Sequence, residues 1–305
     1  MNTAPTLPAE PTGYHQFWRA PGVPLWRALL VAVLSMAAYW IVTSVASMVA
    51  MSVEVASGAI DAEQLRATLE GGGFSPGIVL GNSLGLGVLL PIILLIALLA
   101  RQPLGFLHSV AGRFRWRWFF VCLGLAGLGL GLAFVWKVLA AGAAEGLRIQ
   151  PFSWWLLAGL MLVTPFQAAA EEYLFRGVFF RTVASWFRRP AVALIVGTLV
   201  NTALFTAMHA AEDLWLNVFY VTLAAVLSYL TWRTGGIEAA VAVHVVNNMI
   251  GFAVVPFQDL SSVFDRSAGV GGPTVAAGII ALVVVGVLID LAARRSSTQR
   301  LGPQR

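Results

Sequence analysis

Charge is scarce in this sequence. Only 11% of its 305 residues are Asp, Glu, Lys or Arg, against about 25% in soluble domains, and no long polar interval separates the apolar runs. A soluble appendage with chemistry of its own is therefore excluded. Lysine is nearly absent, with Lys137 the single example among 19 basic residues. The arginines are spread over several loops and form no single patch, so the net charge of +5 reflects membrane topology and no nucleic-acid partner is expected. Cysteine is limited to Cys122 in an apolar run, which rules out an internal disulfide and makes a thiol nucleophile a poor candidate. The helix-borne HExxH pattern of zinc peptidases is missing. So is a glycine-rich loop between a strand and a helix, as phosphate binding would require.

What is present is apolar: 59% of the residues are hydrophobic and the mean hydropathy is +0.82. We expect an all-α, polytopic transmembrane bundle of about eight spans in the cell membrane. Residues 1–22, rich in Pro, Thr, Ala and Gly, read as a disordered cytoplasmic lead-in, with His15 and Trp18 interfacial or solvated. Residues 23–140 hold three N-terminal membrane helices, and an acidic connector with a short polar helix, closed by Gly71-Gly72-Gly73, follows the first of them. Gly81 and Gly85 form a GxxxG pair suited to close helix packing, and Gly124, Gly127, Gly129 and Gly131 invite the same reading. Residues 150–257 carry the polar anomalies described below, and 275–305 give a last membrane helix and a basic tail. With eight spans the arginine-rich loops fall on one side and the acidic loops on the other, which places both termini in the cytoplasm.

Three clusters do not belong in lipid: Glu171-Glu172-xxx-Arg176, Phe205-xxx-His209 and His244-xxx-Asn248. Ionisable groups at bilayer depth cost at least ~2.5 kcal/mol each, so they are kept for function and turned inward. Neighbours on a helix point ~100° apart, so Glu171 and Glu172 cannot share one small site, whereas Glu172 and Arg176 can meet. Glu171 is accordingly assigned to chemistry, with Glu172, Arg176 and Phe205 in support. Glu171 and His209 lie at similar distances either side of the turn Arg188-Arg189-Pro190, so an antiparallel hairpin brings them level. His244 lies only a short way past Gly235-Gly236, roughly 10 to 15 Å too low. That mismatch closes if the hairpin carrying Arg181, Arg188 and Arg189 protrudes into the cytoplasm, which puts the site in the cytoplasmic half of the bilayer. The excess length of the helical stretch 152–187 already demands a kink at Pro165, a tilt or such a protrusion.

In this order and on separate helices, the three motifs resemble those of the CPBP intramembrane protease family, which includes the CAAX prenyl endopeptidases and bacteriocin-processing or immunity proteins. The resemblance implies hydrolysis of a peptide bond in a membrane-associated substrate. Glu171 and His209 would activate the water, and His244 and Asn248 would stabilise the oxyanion. The chemistry is coherent in its own right. A carboxylate in a low-dielectric site is a better base than in water, and fixed imidazole and amide donors each contribute about 3 kcal/mol to oxyanion stabilisation. Glu171, His209 and His244 could instead complete a three-ligand zinc site, so the residues leave both a metal-free and a zinc reading open. Two non-proteolytic alternatives are a membrane immunity or scaffold protein and a proton-coupled transporter. Transport is disfavoured because no second copy of the Glu-Glu motif marks an internal repeat.

Overall fold

The computed structural model describes residues 7–21, 24–71, 73–140, 147–296 and 298–302. Residues 1–6 of the expected lead-in, Gly72 and Arg305 lie outside them. Among the described residues eight helices are long and apolar enough to cross a membrane, and the chain is an all-α, multi-pass membrane protein. We label the helices α1 (Trp26–Ala56), α2 (Ala62–Glu70), α3 (Pro76–Ala97), α4 (Trp116–Ala140), α5 (Ser153–Ser185), α6 (Pro190–Met208), α7 (Leu214–Thr234), α8 (Glu238–Val254) and α9 (Thr274–Arg295). The short α2 is the polar connector helix, and Asp61 and Gln64 cap it reciprocally.

Side-by-side packing runs α1, α3, α5, α8, α4, α9, α7, α6, and α6 returns to the second half of α5. That places α5 between the two ends of the series. The α1/α3 contact depends on the glycine pair. A Cβ on Gly81 would fall 2.6 Å from Cβ of Ala50, and one on Gly85 would fall 2.9 Å from Cα of Thr43. Along α4 the expectation holds only in part: Gly129 packs against Val285, while Gly124, Gly127 and Gly131 face open space.

The excess length of α5 is resolved without a break. The helix runs through Pro165, widens into a π-helix over Tyr173–Phe180 and recovers α geometry over Arg181–Ser185. π-helical turns commonly sit at functional positions, and this one starts immediately after Glu172.

At the arginine-rich end the expected disordered lead-in is in fact ordered over its described part. Tyr14, Phe17 and Trp18 are buried, and the two-residue strands β1 (Thr12–Gly13) and β2 (Leu301–Gly302) pair antiparallel. Burial pushes His15 down to about 4, so the ring is neutral against the Pro190 carbonyl rather than solvated. The reason is a buried cation. Arg181 is 0% exposed, and its guanidinium carbon lies 4.8 Å from both the Tyr14 and Trp18 ring centres. Aromatic faces and the Gln102 and Phe106 oxygens replace its water. Tyr14 Oη donates to the Leu107 carbonyl at 2.6 Å and Gln16 Nε2 to the Phe187 carbonyl at 2.7 Å. The same layer is tied to α8 by Arg115, which makes a two-pronged pair with buried Glu238 at 2.8 and 2.7 Å.

Candidate active site

Glu172 and Arg176 sit one turn apart at the start of the π segment, both 0% exposed, with Arg176 Nη1 2.8 Å from Glu172 Oε1. His244 Nδ1 lies 2.6 Å from the same oxygen. Arg176 also donates to the Ala224 carbonyl of α7, and its guanidinium carbon lies 4.7 Å from the centre of the Phe205 ring of α6. One carboxylate thus locks α5, α6, α7 and α8 together, and Phe205 supports it as an aromatic wall. The contact also answers the height problem. From Glu172, α5 continues for thirteen residues to Ser185, whereas α8 reaches its start at Glu238 only six residues before His244. At about 1.5 Å per residue, α5 extends roughly 10 Å beyond the start of α8. That extension is wrapped by residues 14–19 and does not protrude bare.

Glu171 points elsewhere. It is 12% exposed and lines a cavity of about 600 Å³ together with Gln167, His209, Tyr220, Asn247 and Asn248. The structure brings Glu171, His209 and Asn248 to this one space. His244 lies behind its wall, with Nε2 3.6 Å from Glu171 Oε2. The imidazoles are held in defined orientations. His209 Nδ1 lies 2.7 Å from the Phe205 carbonyl, which can only accept, so Nδ1 carries the proton and Nε2 is left as a bare acceptor. The ring stacks on Tyr220 with centroids 4.0 Å apart. His244 Nδ1 likewise donates to Glu172, so its Nε2 can donate only when the ring carries both protons.

Sequence reasoning missed the residues that orient these groups. Asn247 Nδ2 donates to Asn248 Oδ1 at 3.0 Å, Asn248 Nδ2 to Gln167 Oε1 at 3.1 Å, and Gln167 Nε2 to Glu171 Oε1 at 2.5 Å. Gln167 lies one turn before Glu171, a polar residue in an apolar run, so the signal was visible. Arg266, from the connector after α8, also lines the cavity, as do Tyr39 of α1 and Asn82 and Ser83 of α3. Nothing in their local pattern marks them. The site therefore reaches outside residues 150–257.

The chemistry of the proposed zinc ligands is suitable, since both histidines have Nδ1 anchored and Nε2 bare, as metal-bound imidazoles do. Their spacing is not. Among the described residues no three His, Cys, Asp or Glu side chains are gathered closely enough to hold a metal ion. Glu171 and His244 approach each other, and His209 does not join them at ligand distance.

A family model described as "Type II CAAX prenyl endopeptidase Rce1-like" matches residues 151–250, from the start of α5 through the histidine and asparagine of α8. The match covers about a third of the chain and includes the part that bears the candidate site. An uncharacterized protein of Bacillus subtilis (strain 168), YyaK, is 34% identical over 102 residues, 31% of this chain and 32% of that protein. The matched stretch is thus about a third of either length. No solved structure matches the chain. The matched residues contain all three motifs, while the cavity they line is completed by helices beyond them.

Gln167 provides a test of how the site is held. Hydrogen bonds to charged groups contribute about 1.5–3 kcal/mol, so Gln167→Ala should lower turnover by roughly tenfold or more. The loss should appear in kcat at saturating peptide with KM little changed, because Gln167 orients Glu171 and Asn248.

Proposed function

We propose that this protein is an intramembrane endopeptidase that hydrolyses a peptide bond of a membrane-associated substrate with an activated water. The observation that carries this reading is the division of labour between adjacent carboxylates. Glu172 is buried and neutralised by Arg176, and Glu171 is left in a cavity with Oε2 free, level with His209 and Asn248. Glu171 Oε2 takes a proton from water while His209 Nε2, a fixed acceptor, holds the same water in line. The hydroxide oxygen bonds to the scissile carbon. The tetrahedral oxygen receives hydrogen bonds from Asn248 Nδ2, released from Gln167, and from His244 Nε2–H when that ring is doubly protonated. Collapse breaks the C–N bond, and the proton held by Glu171 passes to the departing amine.

A CAAX-type peptidase is the class of the matching family, and it fits a polar cavity set among membrane-spanning helices. We place both termini in the cytoplasm and the protein in the cell membrane, on the strength of the arginine-rich end. Because the zinc donors do not converge, no step is assigned to a metal. Purified protein should cleave a membrane-tethered peptide library, and His209→Ala should lose cleavage by about 10² or more while its thermal unfolding is unchanged. Wild-type activity should persist after chelation and dialysis, with metal content measured by mass spectrometry. Loss on chelation and recovery with zinc would overturn the metal-free mechanism, and full activity of His209→Ala would overturn the role of His209.

A further inference from the structure

The depth and direction of the cavity are set by residues that the three motifs do not include. The cavity is lined by Glu171 and Phe175 of α5 and also by Phe74, Gln258, Val263, Phe264 and Arg266. The last five of these lie in the connectors before α3 and between α8 and α9, beyond the ends of the long helices, and so mark the mouth. From His244 to Gln258 is fourteen residues along α8 and its 3₁₀ extension, about 20 Å at helical rise. In the other direction the site is closed. Glu172, Arg176 and Phe205 are each 0% exposed, and beyond them lies the packed layer of Tyr14, Phe17 and Arg181.

The two ends of the bundle differ in charge. The closed end carries the connectors with Arg101, Arg113, Arg188 and Arg189 and the end of α9 with Arg294 and Arg295. These segments are shown to share one end by the Arg115–Glu238 pair, by the bond from Arg19 to the Ser185 carbonyl and by the bond from Ile237 N to the His108 carbonyl. The open end carries Glu63, Glu70, Glu212, Asp213, Asp259 and Asp265. The cations there are fewer: Arg66, which is paired with Glu70, and Lys137, Arg148 and Arg266. Arginine-rich ends stay in the cytoplasm during membrane insertion.

We propose that the Glu171 cavity opens on the non-cytoplasmic face of the membrane and takes peptide segments presented there, not cytoplasmic tails. His244 lies six residues from the start of α8 and fourteen from Gln258, so the reacting groups sit nearer the arginine-rich end while the mouth lies at the other. The mouth favours an extended segment with apolar side chains. Phe74, Phe252 and Phe264 offer apolar surface, and Gln258, Asn247 and Asn82 offer amides to a peptide backbone. The substrate class rests on the peptidase reading, whereas the direction of opening does not.

Cysteine accessibility tests it. Cys122 is the single native cysteine and is buried, so Cys122→Ser gives a clean background for Gln258→Cys and Phe264→Cys at the mouth and Arg113→Cys at the opposite end. Each site is first shown to react in detergent. With a membrane-impermeant maleimide on intact cells, Gln258→Cys and Phe264→Cys should label, and Arg113→Cys should label only after permeabilisation. The reverse pattern would overturn the proposal. An impermeant peptide offered to right-side-out and inverted vesicles keeps the two ideas apart. Cleavage only in right-side-out vesicles supports both, cleavage only in inverted vesicles overturns the orientation, and no cleavage with mouth labelling intact overturns the peptidase reading alone.

Discussion

Glu171→Gln should abolish cleavage of a membrane-tethered peptide, with a loss of roughly 10³-fold or more, and leave the folded protein intact. The amide keeps the size of the carboxylate and can still accept from Gln167 Nε2 at the Oε1 position, so the relay from Asn247 through Asn248 survives in outline. What disappears is the basic oxygen facing the cavity. General-base catalysis contributes typically 10²–10⁴-fold, and Glu171 is also asked to return the proton to the leaving amine, so the upper part of that range applies. Stability should change little because Glu171 is partly solvated and its contact with the buried His244 ring is long, at 3.6 Å. The measurement is initial rate at saturating peptide, with tryptophan-monitored unfolding as the control. Cleavage at the wild-type rate would remove Glu171 from the reaction and with it the proposed mechanism.

The sequence made legible whatever depends on helical period and solvent. The eight spans follow from hydropathy, because lipid enforces apolar faces on every helix. The split between Glu171 and Glu172 follows from the ~100° step between neighbours, and the presence of Glu171 and His209 on one cavity fits equal heights along a hairpin. What stayed hidden depends on contacts between segments with no shared period. The segment 14–18 looked disordered because its Pro and Gly residues show no amphipathic pattern; its order comes from Arg181, far along the chain, offering a cation to three aromatic rings. Arg181 itself looked like a marker of cytoplasmic exposure and is instead fully buried. The extension of α5 that lifts His244 level with Glu172 follows from helix length, whereas its wrapping by residues 14–19 cannot be seen from hydropathy. Gln167 was visible as a polar residue but not as a link, since its partner Asn248 lies on another helix. The cavity's direction required the connectors before α3 and after α8, whose residues carry no motif.

Arg176→Ala, by contrast, should fail through stability rather than chemistry. The side chain is fully buried and donates to Glu172 and to the Ala224 carbonyl, so its removal leaves Glu172 uncompensated among α5, α6, α7 and α8. Removing one partner of a buried pair typically costs 3–5 kcal/mol, a large share of the roughly 5–15 kcal/mol that stabilises a folded domain. The stacking surface over Phe205 is lost as well. We expect a marked fall in unfolding temperature in detergent and reduced recovery from membranes. Arg176→Lys should recover only part of the loss, because a point charge cannot reach Glu172 and Ala224 in the fixed planar geometry of a guanidinium. The double variant Glu172→Gln, Arg176→Met separates repulsion from packing. It removes both charges and keeps volume, and it should be more stable than Arg176→Ala while still displacing His244, whose Nδ1 loses its carboxylate. An Arg176→Ala protein as stable as wild type would show that Glu172 is not held as an ion, and the assignment of Glu171 alone to catalysis would lose its basis.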